Sequence, residues 1–283
     1  MSGFSPHWLA LREAADARAR NAQLRAAAAG MFAGRADIHI IDLGCGTGST
    51  LRALAPHLPA RQRWLLIDHD AALLDAARQA LVAWADEAKA VDGYLSLRKD
   101  ALAIEAVFAQ RDLASGVAAA LDAPADLVTA SALFDLVSEE WIARAAAALA
   151  ARAAPLYAAL NYNGVESWTP AHPSDAAVRA AFCAHQSRDK GFGPAAGPQG
   201  ARLLGEALAR AGYRVAIGES PWILGEADDA LRRELVEGIA RAAAETGLLA
   251  EAALSEWRKA RLGASSCVIG HTDVLARFRA SAG

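Results

Sequence analysis

The chain has 283 residues, with 29 Lys and Arg against 32 Asp and Glu and a formal net charge of −3. That near-balance speaks against a chain built to hold nucleic acid or an anionic membrane surface. A charged fraction of 22% excludes a charge-rich disordered chain, and 54% apolar residues over this length can bury a sizeable core. Much of the apolar fraction is alanine, which favours helix and overstates the oiliness of the chain.

Cys45, Cys183 and Cys267 lie far apart. They form neither a disulfide framework nor a Cys-x-x-Cys metal signature, so a reducing, cytoplasmic setting and no metal are expected. Residues 1–10 lack a basic start followed by an apolar run, and no secretory leader is expected. No charge-free apolar stretch of about 18 residues occurs, so no membrane span is expected either.

In chain order, residues 8–29 read as an amphipathic helix, stopped by Gly30 and Gly34. Residues 38–41 are short, β-branched and followed by glycines, the pattern of a buried strand. A helix at 50–58, a strand at 64–67 and a helix through Trp84 capped by Asp70 come next. Residues 94–97 read as a third strand and 101–119 as helix. A fourth strand at 126–130, a helix opened by Ser138 and a fifth strand at 156–160 complete the alternation. This rhythm predicts a doubly wound α/β fold with a mostly parallel sheet and helices on both faces, its ligand site at the carboxyl ends of the strands. The rhythm breaks over 161–200, rich in Gly, Pro, Asn and His. A helix at 201–211, a strand at 213–217, a helical excursion over 228–262 and a last strand at 267–275 follow. The expected organisation is an N-terminal helical cap over 1–37 and one domain over 38–283, with inserts at about 161–200 and 226–263.

The strongest local signal is Asp42-Leu43-Gly44-Cys45-Gly46-Thr47-Gly48, directly after the first strand. Glycines there permit positive φ and close approach of a ligand to the backbone. A dinucleotide fingerprint needs a third glycine at the sixth position, where this chain has Ser49. The spacing instead resembles the first motif of the class I S-adenosylmethionine-dependent methyltransferases. That resemblance, covering about residues 38–160, implies a seven-stranded sheet with an antiparallel last strand. It implies S-adenosylmethionine as cofactor and S-adenosylhomocysteine as product. It places Asp42 near the methionyl amino end and Gly44, Cys45, Gly46 and Gly48 under the cofactor. Asp68 would hold the ribose with His69 beside it, Asp100 and Ala101 would meet the adenine, and Ser131 would begin the motif passing beneath the transferable methyl. The helical insertion at 226–263 departs from the near-hairpin that usually joins the last two strands.

The acceptor is expected to be a small molecule, because the tetrad Ser131-Ala132-Leu133-Phe134 differs from the Asn/Asp-Pro-Pro-aromatic motif of nucleobase amino methylation. Tyr162, Asn163, His172 and Lys190 of the insert are candidate acceptor contacts, and Asp135 and His185 are candidate bases. His172, His185 and Asp189 match no zinc spacing. Arg12 and Arg20 of the first helix are placed to pair with a carboxylate. A cofactor-binding protein without catalysis, a peptide methyltransferase and a nicotinamide-dependent oxidoreductase, this last opposed by Ser49, are the competing readings.

Overall fold

The structure is a computed structural model describing residues 4–279; residues 1–3, where the segment read for a leader begins, and 280–283 lie outside the described residues. Its centre is β1 (Asp37–Leu43), whose inner residues Ile38, Ile40 and Ile41 are fully buried. Parallel neighbours are β2 (Arg61–Asp68) on one side and β6 (Leu127–Ser131) on the other. Beyond β2 lies β5 (Leu102–Gln110), parallel to it, and then an antiparallel hairpin of β3 (Glu87–Val91) and β4 (Tyr94–Lys99). Beyond β6 come β7 (Leu156–Thr169), then β10 (Ser266–Phe278), antiparallel to β7, and β8 (Tyr213–Glu219). The sheet has ten strands in the order β3-β4-β5-β2-β1-β6-β7-β10-β8, with the short β9 (Trp222–Leu224) paired to β10. The seven expected strands are therefore present, widened by the hairpin and by β9.

The third parallel strand is not where the sequence placed it. Residues 94–97 belong to the hairpin, and the third parallel strand is 102–110, in the stretch read as helix. Its Ala, Leu, Glu and Gln favour helix intrinsically, but Ile104 and Ala106 alternate into the core and the strand pairs β2 along its whole length. Two tight turns set this up. Gly93, at φ 83°, closes an Asp-Gly hairpin turn, and Asp100, at φ 50°, takes the left-handed position in the β4–β5 turn.

Helices cover both faces. On one side α2 (Ala22–Gly30), α3 (Ser49–Leu54) and α4 (Ala71–Trp84) enclose a core containing Leu24, Leu51, Leu81 and Trp64. On the other, α5 (Leu113–Ala120), α6 (Glu139–Ala150) and α8 (Gly200–Arg210) pack around Trp141, Phe134 and Leu204. Asp70 caps α4 by accepting from Ala72 N–H at 2.8 Å, and Ser138 caps α6 through Trp141 N–H at 3.2 Å.

A third cluster sits over the carboxyl edge. It joins α1 (Pro6–Ala19), α7 (Asp175–Gln186), α9 (Asp229–Ala244) and α10 (Glu251–Leu262) to the far half of β7, to β9 and to the start of β10, around Trp168, Trp222, Val236 and Trp257. The N-terminal helix read as continuous is two helices, broken at Arg20 because Asn21 caps α2 through Leu24 N–H at 3.0 Å. The supposed loop at 161–200 begins as strand and continues into α7.

Candidate active site

The glycine loop is a left-handed turn at the end of β1. Gly44, Gly46 and Gly48 have φ of 66°, 52° and 78°, a region that costs other residues strain. Cys45 N–H donates to the Ile67 carbonyl at 2.9 Å, tying the loop to β2. A Cβ on Gly46 would stand 3.1 Å from Leu9 Cδ1, so α1 lies directly over the loop. Glu13 holds it there by a two-pronged ion pair to Arg52 of α3 at 2.6 Å, and Arg52 also donates to the Thr47 carbonyl at 2.9 Å.

Asp68 ends β2 and is buried. Its Oδ2 accepts from Gly46 N–H at 2.9 Å and its Oδ1 from Asp70 N–H at 3.0 Å. The carboxylate thus shapes the loop while keeping lone pairs for a ligand. His69 is largely exposed, with Nδ1 3.4 Å from Asp68 Oδ1. Asp42 is fully buried and accepts from Thr129 Oγ1 at 2.7 Å. Burial pushes its carboxyl up to about 7, against the opposing pull of Thr129 and of the Arg20 charge. Arg20, 4% exposed, donates to Ser131 Oγ at 3.0 Å, and Ser131 is also 3.0 Å from Thr50 Oγ1. Arg20 Nε and Nη1 and Asp42 Oδ2 are buried without a partner in the protein. Such groups are costly to leave unpaired and call for a partner from outside the chain, water or ligand. A groove of about 220 Å³ between α1 and α3, lined in part by Asp16, Arg20 and Arg52, leads to this point.

Next to Ser131, the turn residue Ala132 has φ 51° and the chain runs into Leu133 to Asp135. Asn161 of β7 braces this turn, accepting from Phe134 N–H at 3.2 Å and donating to the Thr272 carbonyl at 3.0 Å. The 191–200 segment packs on it: Gly197 N–H donates to the Asp135 carbonyl at 3.0 Å, and a Cβ on Gly200 would lie 2.3 Å from the Phe134 carbonyl. Asp135 is 6% exposed, and burial raises its carboxyl to about 6 despite the nearby Arg12 charge.

Several expected site residues stand elsewhere. Asp100 and Ala101 form the β4–β5 turn, where Asp100 N–H donates to Asp86 at 2.7 Å. They do not follow a parallel strand; the acid that follows the parallel strand β5 is Asp112, which caps α5 through Ala114 N–H at 2.9 Å. His172 makes a local turn, receiving Ser174 N–H on Nδ1 at 3.1 Å. His185 Nε2 meets Glu245 of α9 at 3.0 Å, and Lys190 donates to the His185 carbonyl at 3.3 Å. His185 is thereby tied to the end of α9, and Lys190 folds back on the end of α7. Asn163 bonds Thr272 Oγ1 at 3.2 Å, and the buried Tyr162 donates to Glu166 at 2.6 Å.

Arg12, named from the sequence as a partner for a carboxylate, pairs within its own helix, and the residues around it come together only in three dimensions. Arg12 and Asp16 of α1 form a buried two-pronged pair at 2.9 and 3.2 Å, and Trp222 Nε1 donates to Asp16 at 2.9 Å. The Arg12 guanidinium lies 4.9 Å from the Trp222 ring centre, and His271 lies 5.0 Å from the same ring. Asp273 is completely buried and accepts from Asn21 N–H, Tyr157 Oη and Leu160 N–H at 3.0, 2.8 and 2.8 Å. The run Gly270-His271-Thr272-Asp273, polar inside an otherwise apolar strand, was the available signal. Among the described residues no group of three or more His, Cys, Asp or Glu is placed to hold a metal ion.

No protein-family model matches the chain, and no curated protein does. Among solved structures, the YcgJ protein of Bacillus subtilis superposes with a TM-score of 0.52 at 11% identity, over 92% of this chain and 100% of that one. The mycolic acid cyclopropane synthase CmaA1, complexed with SAH and CTAB, gives 0.49 at 12% identity over 89% of this chain and 82% of that one. Magnesium protoporphyrin IX methyltransferase (ChlM) from Synechocystis PCC 6803, with bound SAH, gives 0.44 at 13% identity over 96% and 84%. Likeness at this identity concerns the fold. With its strand order and its reversed β10, the chain has a Rossmann-like α/β fold, a mostly parallel sheet flanked by helices and closed by antiparallel strands.

Proposed function

We propose that this chain transfers a methyl group from S-adenosylmethionine to a small-molecule acceptor. The observation that carries the reading is the set of buried, unpartnered atoms beside the glycine loop: Asp42 Oδ2 with Arg20 Nε and Nη1. A ligand tail bearing both an ammonium and a carboxylate satisfies an anionic acceptor and a cationic donor together. The residues present therefore fit the cofactor. When bound it supplies a methyl carbon already activated by a sulfonium sulfur.

The protein's own residues then have distinct tasks. Gly44, Cys45, Gly46 and Gly48 let the ligand approach the main chain, and Asp68 accepts from ribose hydroxyls. Asp112 and Leu113 take the adenine side. Leu9 and the Glu13–Arg52 pair keep α1 closed over the loop and keep water out. Asp135, at the edge of the Ser131 turn, takes the proton of the acceptor; with its carboxyl near 6 it is mostly ionised at neutral pH and still basic enough to serve. The rest of the task is alignment, which can account for much of the rate of an in-line transfer. The free thiols of Cys45, Cys183 and Cys267 support a reducing, cytoplasmic setting, and the near-neutral charge supports a partner other than nucleic acid or membrane.

Calorimetric titration with S-adenosylmethionine, S-adenosylhomocysteine and NAD tests the reading. The first two should bind and NAD should not. Asp68→Ala should weaken S-adenosylmethionine binding tenfold or more, since a hydrogen bond to a charged group is worth about 1.5–3 kcal/mol. Tight NAD binding without S-adenosylmethionine binding would overturn it.

A further inference from the structure

The two ends of the sheet are finished differently. At one end β3 is short, exposed throughout, and carries Glu87 and Lys89, charges of the kind that keep an open strand edge from pairing. At the other end β8 is longer, and its centre, Val215-Ala216-Ile217, is uncharged. It pairs with β10 in a register without shifts. At the two ends of that register Ser220 N–H donates to the His271 carbonyl at 2.9 Å, and Arg279 N–H donates to the Gly212 carbonyl at 3.2 Å. Bonds in an antiparallel ladder fall on alternate residues. The even-numbered residues of β8 therefore bond β10, while Tyr213, Val215, Ile217 and Glu219 turn their N–H and C=O groups to the outer edge. Asn21 Nδ2 takes the Glu219 carbonyl at 3.0 Å. Among the described residues no second strand bonds the main chain of Val215 or Ile217. The Ile217 side chain is 56% exposed, although it rests against α8, where a Cβ on Gly205 would stand 3.1 Å from its Cδ1.

We propose that β8 is an interface between two copies of this chain, which pair edge to edge and antiparallel about a two-fold axis at Ala216. An open edge offers donors and acceptors to another strand, and this strand suits its own copy. With the axis at its centre, Val215 stands opposite Ile217 of the second copy, and Ile217 opposite Val215, each pair exchanging both its N–H···O bonds. Those bonds use the free main-chain groups and spare the Glu219 carbonyl. An axis at Ile217 would instead set Val215 against Glu219, whose carbonyl Asn21 holds. The same pairs put branched side chains side by side on the α8 face, and the exposed flank of Ile217 is covered. On the other face Ala216 meets Ala216 and Arg214 falls opposite Gly218, so like charges do not confront each other across the axis. The contact uses the same patch on both copies and closes on itself, as a two-fold interface must.

Sedimentation velocity over about 20–300 μM tests the interface. A single strand edge buries less than the roughly 1,200 Å² of stable complexes, so the dimer should be reversible and should build up across that range. Ile217→Lys brings a charge against the branched side chains of the second copy and should weaken association about tenfold or more. Leu248→Lys, which puts the same charge at an exposed position between α9 and α10, should leave association within about twofold. Amide exchange followed by NMR on the parent protein supplies the second measurement. The Val215 and Ile217 amides should exchange several-fold more slowly at about 300 μM than at about 20 μM, while those of Arg214 and Ala216, already bonded to β10, should not respond. That measurement decides the matter if circular dichroism shows Ile217→Lys unfolded. A protein that stays monomeric throughout, a dimer that folded Ile217→Lys leaves intact, or Val215 and Ile217 amides indifferent to concentration overturns the proposal.

Discussion

At the scale of single residues, Asp42 makes the cradle responsive to pH. Its carboxyl is raised to about 7 by burial, so the folded, ligand-free protein holds that proton more tightly than the unfolded chain does. The stability this contributes is complete below the ordinary carboxylate range and is lost as pH rises through about 7. A ligand ammonium prefers the ionised form. S-adenosylhomocysteine binding should therefore release a proton and strengthen about tenfold between pH 6 and pH 8, the change in ionised fraction for a group near 7. Asp42→Asn should bind more weakly and show no such slope; a slope that persists in this variant would assign the proton elsewhere. Gly46 gives a second outcome. Its φ of 52° and the 3.1 Å approach of Leu9 leave no room for a β-branched side chain, so Gly46→Val should lose S-adenosylhomocysteine binding while circular dichroism stays close to that of the parent. These positions were legible in the sequence because a glycine turn and its flanking acids are local. Asp112, His271 and Asp273 were not, because their roles come from chain segments that meet only in the fold: Asp273 accepts from residues 252, 116 and 113 positions away.

At the scale of elements, the elbow between α1 and α2 decides whether the cradle exists. Arg20 enters the site only because Asn21, next to it, is pinned by Asp273, and Gly218 lies so close that a Cβ there would stand 2.5 Å from Asn21 Nδ2. Asp273→Asn keeps the volume but replaces one accepting oxygen with an amide NH2 that faces at least one of the three donors. It should lower stability by about 1.5–3 kcal/mol in urea and weaken S-adenosylhomocysteine binding in the same variant, since Arg20 moves with the elbow. An unchanged affinity in the destabilised protein would separate the elbow from the cradle. The sequence marked most elements through their ends: Asp70 and Ser138 as caps and glycines as stops. It misled at 102–110, where helix-favouring composition hides a strand imposed by pairing with β2, while the rest of that stretch is helix from Leu113 as read. It also hid the strand half of the 161–200 segment, because residues 161–169 are held by the register to β10 rather than by any local preference.

At the scale of the whole molecule, the cap over the carboxyl edge and the sheet beneath it share two strands. β7 and β10 pair from Leu156↔Ala276 in the sheet to Thr169↔Ser266 in the cap. Trp168 and Trp257 meet edge to face at 6.0 Å within the cap, Trp257 Nε1 donates to Asp175 at 2.8 Å, and the buried Arg261 donates to the Pro170 carbonyl at 2.6 Å. The cap therefore has its own core, yet separating it from the sheet would break strand pairs that run through both, past register shifts at Gly270 and Asp273. A chain of this size often unfolds through intermediates, but the shared strands argue for one transition. Trp168, Trp222 and Trp257 report on the cap and Trp64 and Trp141 on the sheet cores, while far-ultraviolet circular dichroism reports on both. Urea melts by fluorescence and by circular dichroism should coincide. Trp257→Ala, remote from the glycine loop in the chain and buried in the cap, should cost about 3–5 kcal/mol. If cap and sheet unfold together, that loss moves both midpoints equally, because the ladder carries it into the sheet. A fluorescence midpoint that falls alone, with the circular dichroism transition splitting in two, would make the cap an independent unit and would place the closure of α1 under its control rather than that of the sheet.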